Sequence, residues 1–133
     1  METDVEKLTV LIVDDDALVI MAIEDQVVEA GFAFFSMGTG EGALAELEKD
    51  PDRFCAVLTD VRMPGEASGW DVGRRARELR SDMPVIYMTG DSASQWTAQG
   101  VPGSILLQKP FAHSQLTAAL ATLLNRSGIP PFA

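Results

Sequence analysis

The sequence predicts an α/β fold in which five short apolar strands alternate with five amphipathic helices around one parallel sheet. Three observations carry this expectation. Short runs rich in Val, Ile and Leu recur along the chain, at residues 8–13, 54–59 and 85–89 among others. The stretches between them repeat their apolar residues at helical spacing, with one face to bury. Glycine, proline and aspartate gather at the junctions, where turns need them.

Residues 8–13 read as a strand buried on both faces, interrupted only by Thr9. Residues 17–30 follow as a helix with Val19, Ile23, Val27 and Ala30 on one side, and Gly31 suits a left-handed cap. A second strand spans 32–36. A helix over 41–49 stops at Asp50-Pro51, because the residue before proline is driven out of helical geometry. The third strand covers 54–59. A helix over 68–80 turns Val72, Ala76 and Leu79 inward. Pro84 opens a fourth strand at 85–89, a shorter helix follows at 92–100, and a fifth strand lies at 104–108. The last helix, 112–124, carries Leu116, Leu120 and Leu123 on one face. Such alternation implies a parallel sheet covered by helices on both sides. Right-handed crossovers leave few topologies, and the flavodoxin-like order 2-1-3-4-5, a three-layer sandwich, leads them.

The 133 residues fit one domain, and an apolar fraction of 47% with 23% charged residues is that of a soluble globular chain. A single cysteine, Cys55, excludes an internal disulfide and a cysteine-based zinc site. The net charge of −10 argues against broad nucleic-acid binding, which is driven by basic surface. No apolar run approaches the roughly 20 residues that span a bilayer. The start, Met1 to Lys7, is acidic and polar, unlike a signal peptide. The expectation is a cytoplasmic protein with neither membrane nor nucleic-acid partners.

In open parallel sheets ligands bind at the carboxyl ends of the strands. Here the first strand ends in Asp14-Asp15-Asp16, the third in Asp60, the fourth in Thr89-Gly90 and the fifth in Lys109-Pro110. Each has an ordinary reading: acids before a helix cap it, and Thr-Gly and Lys-Pro are common loop pairs. Their coincidence at successive strand ends is what points to chemistry. Close carboxylates repel unless a cation joins them. A magnesium ion (or manganese) with oxygen ligands resolves the conflict. Asp60 is then free to act as a nucleophile toward phosphorus, with Lys109 stabilising the transferring group and Thr89 bonding an oxygen once it is attached.

At this point the sequence resembles response-regulator receiver domains, of the chemotaxis-like single-domain kind. The resemblance rests on Val13-Asp14-Asp15-Asp16, Leu58-Thr59-Asp60-Val61-Arg62-Met63-Pro64-Gly65, Met88-Thr89-Gly90 and Gln108-Lys109-Pro110-Phe111. It covers residues 7–125, leaving 1–6 and 126–133 as short tails. It implies that Asp60 is the phosphoacceptor, and that Asp15, Asp60 and the backbone carbonyl of Arg62 hold the metal directly, with Asp14 acting mostly through water. Thr89 and Lys109 match the family's switch hydroxyl and phosphate-binding lysine. Pro110 matches its lysine-proline bond, often cis. The stretch Gly100-Val101-Pro102-Gly103-Ser104 also looks like receivers that belong to, or work beside, hybrid sensor kinases.

Three features depart from the family pattern. Leu106 stands where many receivers have Tyr or Phe, so the aromatic rotation paired with the threonine is in doubt. The loop 64–69 is one residue longer than usual. Arg62 and Asp91 occupy positions that influence phosphate loss in this family, and they are expected to pair across the site mouth and restrict water.

Other residues invite weaker readings. His113 opens a helix beyond the active edge and suits a surface role. Cys55 suits a small filler, and Trp70 suits packing over its loop. Trp96, if exposed, could anchor a partner. Arg74, Arg75, Arg77 and Arg80 form a basic helix flank, read as solvated. Leu18, Ile20, Met21 and Val28 lie outside the core stripe of the first helix. Ile20 and Met21 are candidates for a surface that docks a sensor histidine kinase or a histidine phosphotransfer protein. Trp96 and Leu106 are candidates for the surface facing an output protein.

The expected function is therefore a phosphoacceptor in a two-component or phosphorelay system, a signalling module rather than an enzyme. With only a short tail after residue 125, output is expected through protein contact or onward phosphotransfer. Three alternatives stand beside it. One is a receiver fragment of a hybrid sensor kinase. Another is a small Asp-nucleophile phosphatase, which wants a second acid where Arg62 stands. The last is a flavoprotein, whose phosphate-cradling loop the three aspartates would oppose.

Overall fold

The computed structural model describes residues 8–126. The chain alternates β1 (Thr9–Val13), α1 (Ala17–Glu29), β2 (Ala33–Met37), α2 (Gly40–Lys49), β3 (Phe54–Asp60), α3 (Gly69–Leu79), β4 (Val85–Thr89), α4 (Trp96–Gln99), β5 (Ile105–Gln108) and α5 (His113–Arg126). The strands form one sheet in the order β2-β1-β3-β4-β5, and every pairing is parallel. This is the flavodoxin-like arrangement expected from the sequence.

Alternation along each strand divides the core in two. Val10, Ile12, Ala56, Leu58, Ile86 and Met88 face α1 and α5, where they meet Ile23, Val27, Leu116 and Leu120. Leu11, Val13, Val57, Val85 and Tyr87 face the other layer, where α2 and α3 supply Ala43, Leu47, Val72 and Ala76. β3 is central, and all its residues are buried. That is why a continuous apolar run, rather than an alternating one, marks it.

Local signals set the ends. Asp16 caps α1, its carboxylate accepting from the N–H groups of Leu18 and Val19. Gly31, at φ +98°, ends that helix. Ser68 and Asp71 form a reciprocal capping box at the start of α3. Most boundaries fall within two residues of expectation, and two differences bear on the site. β3 runs on to include Asp60, which pairs with Met88 of β4. The helix expected over 92–100 is a 3-10 turn, Ala93–Gln95, followed by the single turn of α4. Thr97, Ala98 and Gln99 are exposed, so little apolar burial is available to extend it.

Trp70 is not confined to its loop. It is buried in the core with its ring 4.7 Å from that of Tyr87. Cys55 lies within β3, where burial pushes its thiol up to about 11. Among the described residues, no helix is long and apolar enough to cross a membrane.

Candidate functional site

Because all five strands are parallel, their carboxyl ends share one edge. Asp14 leaves β1 fully buried, its N–H bonded to the Met37 carbonyl at 3.1 Å and one carboxylate oxygen accepting from Asp16 N–H at 2.9 Å. Asp15, next along, is exposed. Asp60 ends β3 and is 7% exposed. One oxygen from each of Asp14, Asp15 and Asp60 lies within 4.8 Å of the others. Asp16, the third of the acidic run, faces its own helix as the cap and is not in this set.

Lys109 reaches the cluster from the end of β5. Its Nζ lies 2.8 Å from Asp14 and 3.4 Å from Asp60. Its backbone N–H is bonded to the Thr89 carbonyl at 2.8 Å, and its bond to Pro110 is cis. Burial alone would lower the lysine, but the Asp14 and Asp60 carboxylates outweigh it and hold the ammonium above its ordinary range. Asp60 moves the other way. Desolvation, then the Asp14 charge, push its carboxyl up to about 6 against the pull of Lys109.

The Lys109 ammonium thus pairs with two of the three clustered carboxylates, and all three acids offer oxygen. That donor set fits a hard divalent cation such as magnesium or manganese.

The loops complete the rim. Thr89 is buried, and its hydroxyl oxygen accepts from the N–H groups of Asp91 at 3.2 Å and Ser92 at 2.8 Å. Arg62 reaches across to Asp91 at 3.3 Å. Beside Asp60 opens a cleft of about 490 Å³ lined by Asp15, Arg62, Met63, Trp70 and Gln95, among others. Gly69 packs so tightly that a Cβ there would overlap the Asp60 carbonyl. The sequence reading passed over Gly69; a glycine directly after the Ser68 cap was its only signal.

Residues 10–121 match the family model described as the response regulator receiver domain. The chain belongs to this family. It is similar over 90% of its length to a response regulator receiver protein from Sinorhizobium medicae. That crystal structure superposes with a TM-score of 0.87 at 38% identity, with 96% of it covered. The receiver domain of the sensor histidine kinase PA1611 from Pseudomonas aeruginosa has magnesium coordinated in its active site cleft. It shares the fold at a TM-score of 0.78 and 21% identity, with 91% of this chain and 99% of that one covered. The transcriptional regulatory protein PrrA of Mycobacterium tuberculosis is 31% identical over 131 residues, covering 96% of this chain and 54% of PrrA. The chain spans about half the length of the curated relatives it matches.

Membership makes residues 10–121 a receiver domain, a signalling module. Its remaining candidate residues lie away from the acidic cluster. Met21 on α1 is 60% exposed, whereas Ile20 is half-buried against the core and Leu18, at 78%, is the more open neighbour. Trp96 does not stand free. It is half-buried, and its indole N–H donates to Ser104 Oγ at 3.0 Å, which in turn donates to the Val101 carbonyl at 2.7 Å. Leu106 is half-buried and sits in register beside Tyr87, whose hydroxyl accepts from Val101 N–H at 3.1 Å. His113 lies 3.5 Å from Glu29, on the surface.

Proposed function

We propose that residues 7–125 act as a receiver in which Asp60 takes the phosphoryl group. A carboxylate oxygen of Asp60 attacks phosphorus, the bond from phosphorus to the donor nitrogen or oxygen breaks, and its electron pair leaves with the donor. The product is an aspartyl phosphate. Asp15, Asp60 and the Arg62 carbonyl would hold the metal, with Asp14 ordering water at it. Magnesium, when bound, neutralises charge on the phosphoryl oxygens. Lys109 would move from its carboxylate partners to a phosphoryl oxygen, and Thr89 would donate its hydroxyl to another. Drawing the Thr89 hydroxyl toward the phosphate would stretch the bonds it accepts from Asp91 and Ser92, which couples the modification to the loop leading into α4.

The observation that carries this reading is the convergence of Asp14, Asp15, Asp60 and Lys109 on one sheet edge. A phosphatase role is disfavoured because Arg62, where such an enzyme wants an acid, points to Asp91.

A donor kinase is implied by the family. A sensor histidine kinase or histidine phosphotransfer protein would dock where Met21 and Leu18 are exposed. An apolar cavity of about 420 Å³ lies between α1 and the loop after β5, lined by Val19, Ile23, Gln26, Pro110 and Phe111 among others. An output protein would meet the surface that carries α4 and β5. The setting is the cytoplasm, without nucleic-acid or membrane partners. The same chemistry serves a free-standing receiver and one joined to a hybrid kinase.

Intact mass after incubation with acetyl phosphate, with and without magnesium, tests the reading. One phosphoryl group should appear only with magnesium, and not on Asp60→Ala. Addition to that variant would overturn the assignment.

A further inference from the structure

We propose that Glu41, in the first turn of α2, is a positioning residue for phosphoryl transfer, because its carboxylate holds the loop that follows Asp60. One oxygen, Oε2, accepts from the backbone N–H of Glu66 at 2.8 Å and of Ala67 at 3.3 Å, residues 25 and 26 positions along the chain. The fit around it is close. Gly65 has φ +96°, and a Cβ there would stand 2.8 Å from the same oxygen. At Gly40, beside Glu41, a Cβ would overlap the Ala67 carbonyl. The start of α2 is thus seated on this loop.

The loop matters because of what stands at its two ends. It begins with Arg62, whose backbone carbonyl is the metal ligand in the phosphoacceptor reading, on which this role depends. It ends at Gly69, packed on the carbonyl of Asp60 itself. Its outer residues also wall the cleft beside Asp60: Met63, Pro64, Gly65 and Glu66 all line it. The end residues are tied by backbone bonds, Val61 N–H to Met88 and Gly69 N–H to Val61. Between these anchors, two successive N–H groups end on Glu41. Those bonds also hold its exposed carboxyl below the usual range, first through Glu66. Glu41 does not touch Arg62 itself; it acts through the intervening loop residues, so its effect is smaller than that of a group bonded directly to a ligand.

Both bonds share one oxygen, so the acceptor matters and the second oxygen does not. Glutamine keeps such an oxygen and alanine removes it. The experiment compares the parent with Glu41→Ala and Glu41→Gln. Hydrogen exchange at the Glu66 and Ala67 amides is read in metal-free protein, and magnesium affinity by calorimetry. Thermal unfolding confirms that each variant is folded.

Glu41→Ala should speed exchange at both amides and weaken magnesium binding by roughly threefold, below the roughly 10–100-fold expected for a group bonded directly to a ligand. Glu41→Gln should restore both. Unchanged exchange and magnesium affinity in Glu41→Ala would overturn the role of Glu41 alone. A parent protein that neither binds magnesium nor takes phosphate from acetyl phosphate would overturn the phosphoacceptor reading beneath it.

Discussion

Arg62 Nη1 lies 3.3 Å from Asp91 Oδ2, joining the loop after β3 to the loop after β4 across the mouth of the acidic cleft. Both side chains are largely exposed, so the pair adds little to stability. With Asp60 as the phosphoacceptor, a pair at this position would screen the phosphoryl group from attacking water. Arg62→Ala should shorten the half-life of the aspartyl phosphate severalfold, measured by the decay of the phosphorylated mass, while the thermal midpoint stays within a degree or two of the parent. An unchanged half-life would remove the screening role.

Gly69 has no room for a side chain. A Cβ would overlap the carbonyl of Asp60 and stand 2.8 Å from the Cα of Val61, both backbone atoms that cannot swing aside. Gly69→Ala should lower unfolding free energy by about 1–3 kcal/mol, the usual cost of overpacking. Urea titration reads the loss. Phosphorylation from acetyl phosphate should fall as well, since the displaced strand end carries the acceptor.

Asp60 links stability to pH. Burial and then Asp14 raise its carboxyl from 3.8 to about 6, so the folded state holds the proton more tightly than the unfolded chain. Its favourable contribution is full below about pH 4 and is lost as pH rises through about 6. At neutral pH the ionised group therefore costs about 3 kcal/mol in metal-free protein. Asp60→Asn should be more stable than the parent at pH 7 without metal, and the difference should shrink toward pH 4. Magnesium should raise the thermal midpoint of the parent more than that of the variant. Equal midpoints for parent and variant across this range would contradict the raised value.

The α1 surface separates two kinds of donor. Met21 is exposed and Ile20 is half-buried beside it. Replacing both with Ser should slow transfer from a cognate kinase or phosphotransfer protein and leave acetyl phosphate labelling intact, since neither side chain belongs to the acidic cluster. Equal loss with both donors would point to damage at the site instead of lost docking.

Tyr87 ties β4 to the segment before β5. Tyr87→Phe removes the acceptor for the buried Val101 N–H. An unsatisfied buried donor costs about 1–3 kcal/mol, so chemical denaturation should show a loss in that range. The indole of Trp96, fixed to Ser104 next to this contact, should change its fluorescence when the link is cut; a Trp70→Phe background isolates that signal.

The sequence by itself determined the sheet, its order and the edge where chemistry gathers. Apolar periodicity is a local record of burial, and parallel strands leave little choice of handedness, so Asp14, Asp60, Thr89 and Lys109 could be placed on one edge before any distance was known. The left-handed cap was equally legible at Gly31, because capping is settled within one turn. What only the tertiary structure decided involves partners far apart in the chain. Nothing local distinguishes Asp14, buried against Lys109, from exposed Asp15 or from the capping Asp16. Nothing local joins Glu41 to the amides of Glu66 and Ala67, or shows that Trp96 is bonded inward to Ser104. These outcomes depend on which surfaces pack together, and a hydrogen bond between loops leaves no period in the sequence.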